Sequence, residues 1–140
     1  MRHGFRGYVT PRSFGEFSVP VPLQSLALRD YCKRNDMTFV LPVNEHNINN
    51  SYMVLEGLVT DLSSFEGVVM YSFRMLPEAR SLRADIVEAV LNARCHFHFV
   101  LENRSIRNMD EFKVFEEIFA FERLSENSKS HLAQIQNLEI

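Results

Sequence analysis

Side chains capable of acid–base, nucleophilic or anion-binding chemistry follow short apolar runs at four places in this 140-residue chain. In chain order they are Thr10, Arg12 and Ser13; then Asn44, Glu45 and His46; then Tyr71, Ser72 and Arg74; and finally Glu102 with Asn103. In an open parallel sheet, ligands bind beyond the carboxyl ends of the strands, where the strand order reverses. If these runs are parallel strands, the pattern predicts one site for an anionic or hydroxyl-rich ligand at that rim.

Each residue type suggests a role. Arg12 and Arg74 would hold the anion, because a guanidinium group binds phosphate or carboxylate through paired N–H donors. Ser13 would attack the ligand or hydrogen-bond to it, and Glu45 with His46 would transfer protons. The candidate catalytic residues are therefore Ser13, Glu45 and His46. The candidate ligand-binding residues are Thr10, Arg12, Asn44, Tyr71, Ser72, Arg74 and Glu102.

Structural alternatives remain open for each of these signals. Loops are polar in any α/β protein, so polar residues after strands need not form a site. Ser13 could equally be a loop or capping serine, and His46 could equally be a solvated loop histidine. His96 and His98, at i and i+2, have a spacing that can ligate metal, but alternation with Phe97 and Phe99 also explains them as the outer face of an edge strand. We predict no metal. We also predict no cofactor, since the sequence contains no Gly-rich phosphate loop.

A predicted strand at residues 67–76, GVVMYSFRML, organises the rest of the chain. Its first part is apolar on both faces, which is typical of a parallel strand covered by helices on both sides. Further strands are predicted at residues 7–10, 38–43 and 96–101. Pro42 suggests that the second of these is an edge strand or ends there. Between the strands, apolar residues at helical spacing predict helices up to about residue 35, over 51–64 and over 79–93.

This alternation predicts an α/β fold, a three-layer αβα sandwich that is flavodoxin-like or resolvase-like. Its mostly parallel four-stranded sheet would have the order 2-1-3-4. We expect one domain over residues 1–124 and a tail over 125–140 that is either a short docking helix or a frayed end. A helix at 109–124 carries apolar residues on two sides, which favours a homodimer through the segment from Phe112 to Phe121.

Composition narrows the functional classes. The chain has 46% hydrophobic and 24% charged residues, a formal net charge of -3 and a pI of about 5.9. Such a chain lacks the basic character of most nucleic-acid-binding proteins, so a nucleic-acid partner is not expected. No apolar run is long enough for a membrane helix, and no signal peptide is expected. Two cysteines do not form a disulfide framework, and we expect a reducing, cytoplasmic location.

Several segments together show a distant resemblance to the catalytic domain of serine recombinases, the resolvases and invertases. They are GYVTPRS, Gln24 with the helix after it, YSFRML and FAFERL. The resemblance implies that Ser13 lies near the position of the family's nucleophile and that Arg74 matches an arginine that holds the scissile phosphate. Phe73 stands where the family has Asp, and Pro77 where it has a second arginine.

A longer stretch resembles another family. GYVTPRSFGEFSVPVPLQSLALRDYCKRNDMTFVLPVNEHN, followed by SYMVLEGLVTDLSSFEGVVMYS, is similar to the sporadic carbohydrate cluster proteins of bacterial surface-polysaccharide gene clusters. This resemblance implies a cytoplasmic role in surface-glycan or lipopolysaccharide biosynthesis, with a sugar, nucleotide-sugar or other anionic ligand. It implies no particular reaction. The alternatives are a non-catalytic dimerising or regulatory protein and a serine-recombinase-like protein that acts on DNA.

Overall fold

A five-stranded sheet forms the centre of the computed structural model, which describes residues 2–16 and 18–138, with side chains described up to residue 124. The strands are β1 (Phe5–Val9), β2 (Phe39–Asn44), β3 (Gly67–Met70), β4 (His96–Phe99) and β5 (Arg104–Ile106). Their order is β2-β1-β3-β4-β5. The first four strands are parallel, and β5 pairs antiparallel with β4. The fold is therefore α/β with a mostly parallel sheet, as predicted, but with a fifth strand.

Helices follow the strands as the sequence pattern predicts. They are α1 (Val21–Arg34), α2 (Met53–Val59), α3 (Arg80–Asn92) and α4 (Met109–Leu138), with a 3-10 turn at Phe73–Met75. Pro22 occupies the first turn of α1, where its missing N–H has no helical partner to lose. Helix α2 is shorter than the predicted helix at residues 51–64 at both ends. The residues before Met53 belong to the loop that leaves β2, and after Val59 the N–H groups of Thr60 and Asp61 bond three residues back, which ends the helix in turns.

The core lies on both faces of the sheet. On one face, Leu28, Tyr31 and Cys32 of α1 pack against Phe5 and Val9 of β1. Val69 of β3 belongs to the same cluster. Right-handed crossovers place α2 and α3 on the other face, and all four residues of β3 are fully buried. Covering on both faces explains why the β3 run shows no polar alternation.

Two predicted strand assignments are wrong in detail. The strand predicted over residues 67–76 ends at Met70, because Ser72 caps the 3-10 turn by accepting a hydrogen bond from the backbone N–H of Arg74. The predicted sheet of four strands lacked β5, which is only three residues long and carries no clear alternating pattern. Pro42 does lie in an edge strand, since β2 is the first strand of the sheet.

The paired histidines do not form the outer face of an edge strand, because β5 covers β4. His98 is buried, and its Nδ1 lies 3.0 Å from the Tyr31 hydroxyl, while the Phe5 ring meets it edge-on. Burial, with Arg107 and His96 nearby, lowers the pKa of His98 to about 4. His98 is thus a neutral core residue at pH 7.

The chain divides into two compact units, one extending to Asn108 and the other consisting of α4. Helix α4 continues to Leu138, although the sequence pattern predicted its end at Leu124. The predicted alternatives for the tail at residues 125–140, a docking helix or a frayed end, depend on side chains that lie outside the described ones. Val114, Ile118 and Phe121 are exposed on α4. The homodimer through this helix, like the division at residue 124, stays a prediction.

Over residues 2–16 and 18–138, no helix combines the length and the apolar character needed to cross a bilayer.

Gly67 permits the close approach of β3 to β4. A Cβ atom at this position would lie 2.2 Å from the carbonyl oxygen of His96 and 2.9 Å from the Phe5 ring. We expect Gly67→Ala to lower the free energy of unfolding by roughly 1–3 kcal/mol, because the sheet must shift to admit the methyl group. Urea unfolding would measure the change.

Gly57→Ala in α2 is the matched control, because a Cβ atom there meets nothing within 4 Å. We expect this substitution to raise the free energy of unfolding by about 0.5–1 kcal/mol, the usual advantage of alanine over glycine in a helix. Equal stability changes in the two variants would contradict the close packing of β3 on β4.

Candidate functional site

A cleft of about 580 Å³ opens at the carboxyl end of the sheet. It lies beside β1 and β3, the point where the chain reverses its direction of travel across the sheet. The lining residues come from the loop after β1, the loop after β2 and the turn after β3. They are Thr10, Pro11, Arg12, Ser13, Phe14, Asn47, Asn49, Asn50, Tyr52, Arg74, Met75 and Glu78.

Gln24 holds the loop that follows β1. This side chain is fully buried in α1, and its Nε2 donates to the carbonyls of Thr10 and Val19, both at 2.7 Å. Its Oε1 accepts from the Thr10 backbone N–H at 3.2 Å. One amide group therefore joins the start of the loop to its end and pairs backbone groups that would otherwise be buried without partners.

Arg12 stands in the cleft with defined contacts on two sides. Its backbone N–H and its Nε both donate to the Thr10 hydroxyl, at 3.2 and 3.3 Å. Its guanidinium group lies 4.4 Å from the centre of the Tyr52 ring, and one terminal nitrogen lies 3.4 Å from the carbonyl oxygen of Ile48. A guanidinium group stacked in this way keeps its charge and part of its donor set for an anion.

Glu45 holds the loop that follows β2. It is only 3% exposed, and its carboxylate accepts hydrogen bonds from the Tyr8 hydroxyl at 2.7 Å and from the backbone N–H groups of His46, Val54 and Leu55 at 3.0–3.1 Å. Burial raises the pKa of Glu45, but these four hydrogen bonds outweigh burial and hold the pKa below its usual range. Burial, together with the hydrogen bond to Glu45, raises the pKa of Tyr8 far above its usual value.

The turn after β3 brings Arg74 to the cleft. Glu102 accepts hydrogen bonds from the Phe73 backbone N–H and from the Ser72 hydroxyl, and this hydroxyl accepts from the Arg74 N–H. The Arg74 side chain then crosses the first loop at Gly15, where a Cβ atom would lie 3.2 Å from its Cδ. Gly15 has a φ of +61°, so this position favours glycine for both its backbone and its packing.

Four of the predicted site residues meet in the cleft, namely Thr10, Arg12, Ser13 and Arg74. Ser13 is exposed at its rim. Ser72 and Glu102 lie beneath the turn and order it rather than lining the cleft. Tyr71 packs on Phe14, with 5.9 Å between the ring centres, and so touches the cleft wall from behind.

The remaining predicted residues lie outside the cleft lining. Asn44 is exposed at the end of β2 and His46 is exposed in the loop after it, while Glu45 is buried under that loop. The geometry does not bring Glu45 and His46 to Ser13, and proton transfer by this pair stays a prediction. The reason is local, since Glu45 turns inward to the unpaired N–H groups at the start of α2.

Sequence reasoning missed several residues of the cleft. The sequence pattern did not indicate Tyr52 and Glu78 as site residues, because each lies in a segment predicted to be a helix or the start of one. Asn47, Asn49 and Asn50 were visible only as a polar loop. Gln24 drew attention through the resemblance to serine recombinases, but its hydrogen bonds depend on tertiary contacts.

No metal centre is formed by the described part of the chain, in which no three histidine, cysteine, aspartate or glutamate side chains are grouped to hold an ion. Cys95 contacts Arg2 and backbone carbonyls, and burial raises the pKa of its thiol. A thiol of this kind is a packing group rather than a nucleophile.

Gln24→Leu tests how the first loop is held. The substitution keeps the apolar volume but removes three hydrogen bonds, leaving buried backbone groups of Thr10 without partners. We expect the free energy of unfolding to fall by about 2–4 kcal/mol, and amide exchange at Thr10 to accelerate. Urea unfolding and hydrogen exchange measure these two effects.

Leu26→Ala on the same helix serves as the control. Leu26 is 63% exposed, so this substitution should change stability by less than about 0.5 kcal/mol and leave exchange at Thr10 unchanged. Unaltered exchange in Gln24→Leu would refute the role given to this amide.

Comparison with known proteins relates the fold to one group. No family model and no curated protein matches the chain. The sporadic carbohydrate cluster resemblance thus gains no support. Among solved structures, the crystal structure of the N-terminal catalytic domain of TP901-1 integrase superposes with a TM-score of 0.56 and 16% sequence identity. The match covers 86% of this chain and 98% of that chain. At this identity the likeness concerns the fold alone, which resembles the resolvase-like fold.

Proposed function

We propose that the cleft binds a ligand that carries phosphate. The observation that carries this proposal is the presence of Arg12 and Arg74, from separate loops, in the lining of one cleft. Two guanidinium groups can bind the oxygens of a phosphate or diphosphate with charge-assisted hydrogen bonds. The exposed Ser13 hydroxyl at the same rim supplies a further donor.

The loop after β2 suggests which class of phosphate compound binds. Asn47, Asn49 and Asn50 line the cleft with amide groups, which both donate and accept hydrogen bonds. Such groups suit hydroxyl-rich molecules, and Tyr52 adds an aromatic ring. We therefore favour a nucleotide-sugar or sugar phosphate, as in the expected cytoplasmic role in surface-glycan biosynthesis. No comparison with known proteins supports that biological role.

Titration calorimetry with inorganic pyrophosphate and with a panel of nucleotide-sugars tests the proposal. We expect wild type to bind at least one of these probes, and we expect Arg12→Ala and Arg74→Ala each to weaken binding by about 10–100-fold. The estimate follows from the roughly 1.5–3 kcal/mol carried by a hydrogen bond to a charged group. Bound ligand should also raise the melting temperature of wild type.

Lys33→Ala is the matched control, because it removes the same charge from an exposed position in the last turn of α1. This variant should bind like wild type. If Arg12→Ala and Arg74→Ala bind every probe as tightly as Lys33→Ala does, the cleft is not a phosphate site.

A second candidate function is phosphoryl transfer to Ser13, possible for a fold like that of an integrase catalytic domain. In this step the Ser13 Oγ would form a bond to the phosphorus of a phosphodiester, and the bond from phosphorus to the leaving sugar oxygen would break. The serine would lose its proton to solvent, and the leaving oxygen would gain one. Arg12 and Arg74 would stabilise the charge that develops on the phosphoryl oxygens.

Incubation with labelled DNA at low salt, followed by a denaturing gel, tests this candidate. This second candidate requires a covalent protein–DNA adduct from wild type and none from Ser13→Ala, because only the hydroxyl can form the bond. Ser18→Ala, an exposed serine of the same loop, should still form it. An adduct that persists in Ser13→Ala, or a wild-type protein that forms none, would eliminate Ser13 as a DNA nucleophile.

A further inference from the structure

Glu45 connects both ends of the loop that forms one wall of the cleft. Its Oε1 accepts from the N–H of His46, where the loop begins, and also from the N–H of Val54, where the loop has entered α2. Its Oε2 accepts from Leu55 N–H and from the Tyr8 hydroxyl, which belongs to β1. One buried carboxylate thus closes the loop and attaches it to the central sheet.

The closed loop in turn supports Arg12. The Tyr52 ring lies 4.4 Å below the guanidinium group, and the Ile48 carbonyl oxygen lies 3.4 Å from one of its nitrogens. Both contacts come from residues between the two ends that Glu45 joins. The backbone N–H and the Nε of Arg12 also donate to the Thr10 hydroxyl of its own loop. The position of the Arg12 charge therefore depends on the course of the loop.

We propose that Glu45 is a positioning residue that holds the Arg12 guanidinium in place for anion binding by closing the loop between β2 and α2. It does so without touching the ligand, since it does not line the cleft. The identity of the bound anion rests on the proposed function, but the placement of Arg12 does not. A single group that satisfies four donors can act in this way because loss of its charge weakens all four hydrogen bonds together.

Glu45→Gln tests the proposal, since it keeps the side-chain shape and removes the charge. The first readout is the NMR signal of the Arg12 side-chain Nε–H in the ligand-free protein. We expect this signal to shift in Glu45→Gln and to stay in place in Glu66→Gln. Glu66 is the matched control, because its carboxylate also accepts a loop N–H, that of Gly4 at 2.8 Å, but lies away from the cleft lining.

The second readout is a double-mutant cycle with inorganic pyrophosphate as the probe. We expect Glu45→Gln to weaken binding by about tenfold in wild type and to have little further effect in Arg12→Ala, because the carboxylate acts through that arginine. If Glu45→Gln only damaged the structure, it would weaken pyrophosphate binding equally in wild type and in Arg12→Ala. Glu66→Gln should leave pyrophosphate binding unchanged in both.

The outcomes separate this inference from the proposed function. An unshifted Arg12 signal in Glu45→Gln, or an equal shift in Glu66→Gln, overturns the positioning role, as does an additive cycle. If wild type binds a nucleotide-sugar but no pyrophosphate, the cycle uses that nucleotide-sugar as its probe. If wild type binds none of the probes, the anion site is refuted while the Arg12 signal still decides the positioning role. If Glu45→Gln does not fold, Tyr8→Phe replaces it. This variant removes the 2.7 Å hydrogen bond alone, and an unshifted Arg12 signal there overturns the role.

Discussion

The cleft depends on the need of buried backbone groups for hydrogen-bond partners. At the carboxyl end of the sheet, the loops after β1, β2 and β3 are each held by one polar side chain that is wholly or partly buried: Gln24, Glu45 and Glu102, respectively. Gln24 and Glu45 each join backbone groups that lie apart in the chain, and Glu102, which follows β4, binds the turn after β3. A loop that loses such a partner leaves these backbone groups exposed to water or buried without a hydrogen bond. The loss in free energy is then a large share of a domain's free energy of unfolding. The loops that carry Arg12 and Arg74 are therefore held by hydrogen bonds to side chains that lie beneath the cleft and do not line it.

The sheet topology gives these loops a common meeting point. Because the chain first crosses from β1 to β2 and then returns past β1 to β3, the loops after β1 and β3 are neighbours at the reversal of strand order. Gly15 lets the Arg74 side chain lie against the first loop, and Tyr52 brings the second loop under Arg12. The cleft thus gathers two arginines and one carboxylate, that of Glu78, in a chain whose net charge is -3. The charge of the whole chain is thus a poor guide to the charge of this cleft.

The resemblance to an integrase catalytic domain and the phosphate hypothesis are related but not equivalent. A common fold hosts many activities, so the residues of the site must carry the functional argument. Here those residues are two arginines, an exposed serine and an amide-rich wall. They suit phosphate binding whether or not a bond is broken.

The amino-acid sequence by itself determined the alternation of strands and helices, because apolar periodicity directly reflects which faces are buried. It also indicated the rim on which Arg12, Ser13 and Arg74 would meet. Only the tertiary structure decided that Glu45 faces the start of α2 and that the predicted long strand ends at Met70. It likewise decided that β5 covers the histidine-bearing strand. Glu45 also binds the hydroxyl of Tyr8, 37 residues away, and Glu102 binds the Phe73 N–H, 29 residues away, and apolar periodicity does not encode such pairings. Strand β5 is only three residues long, too short to show an alternating pattern.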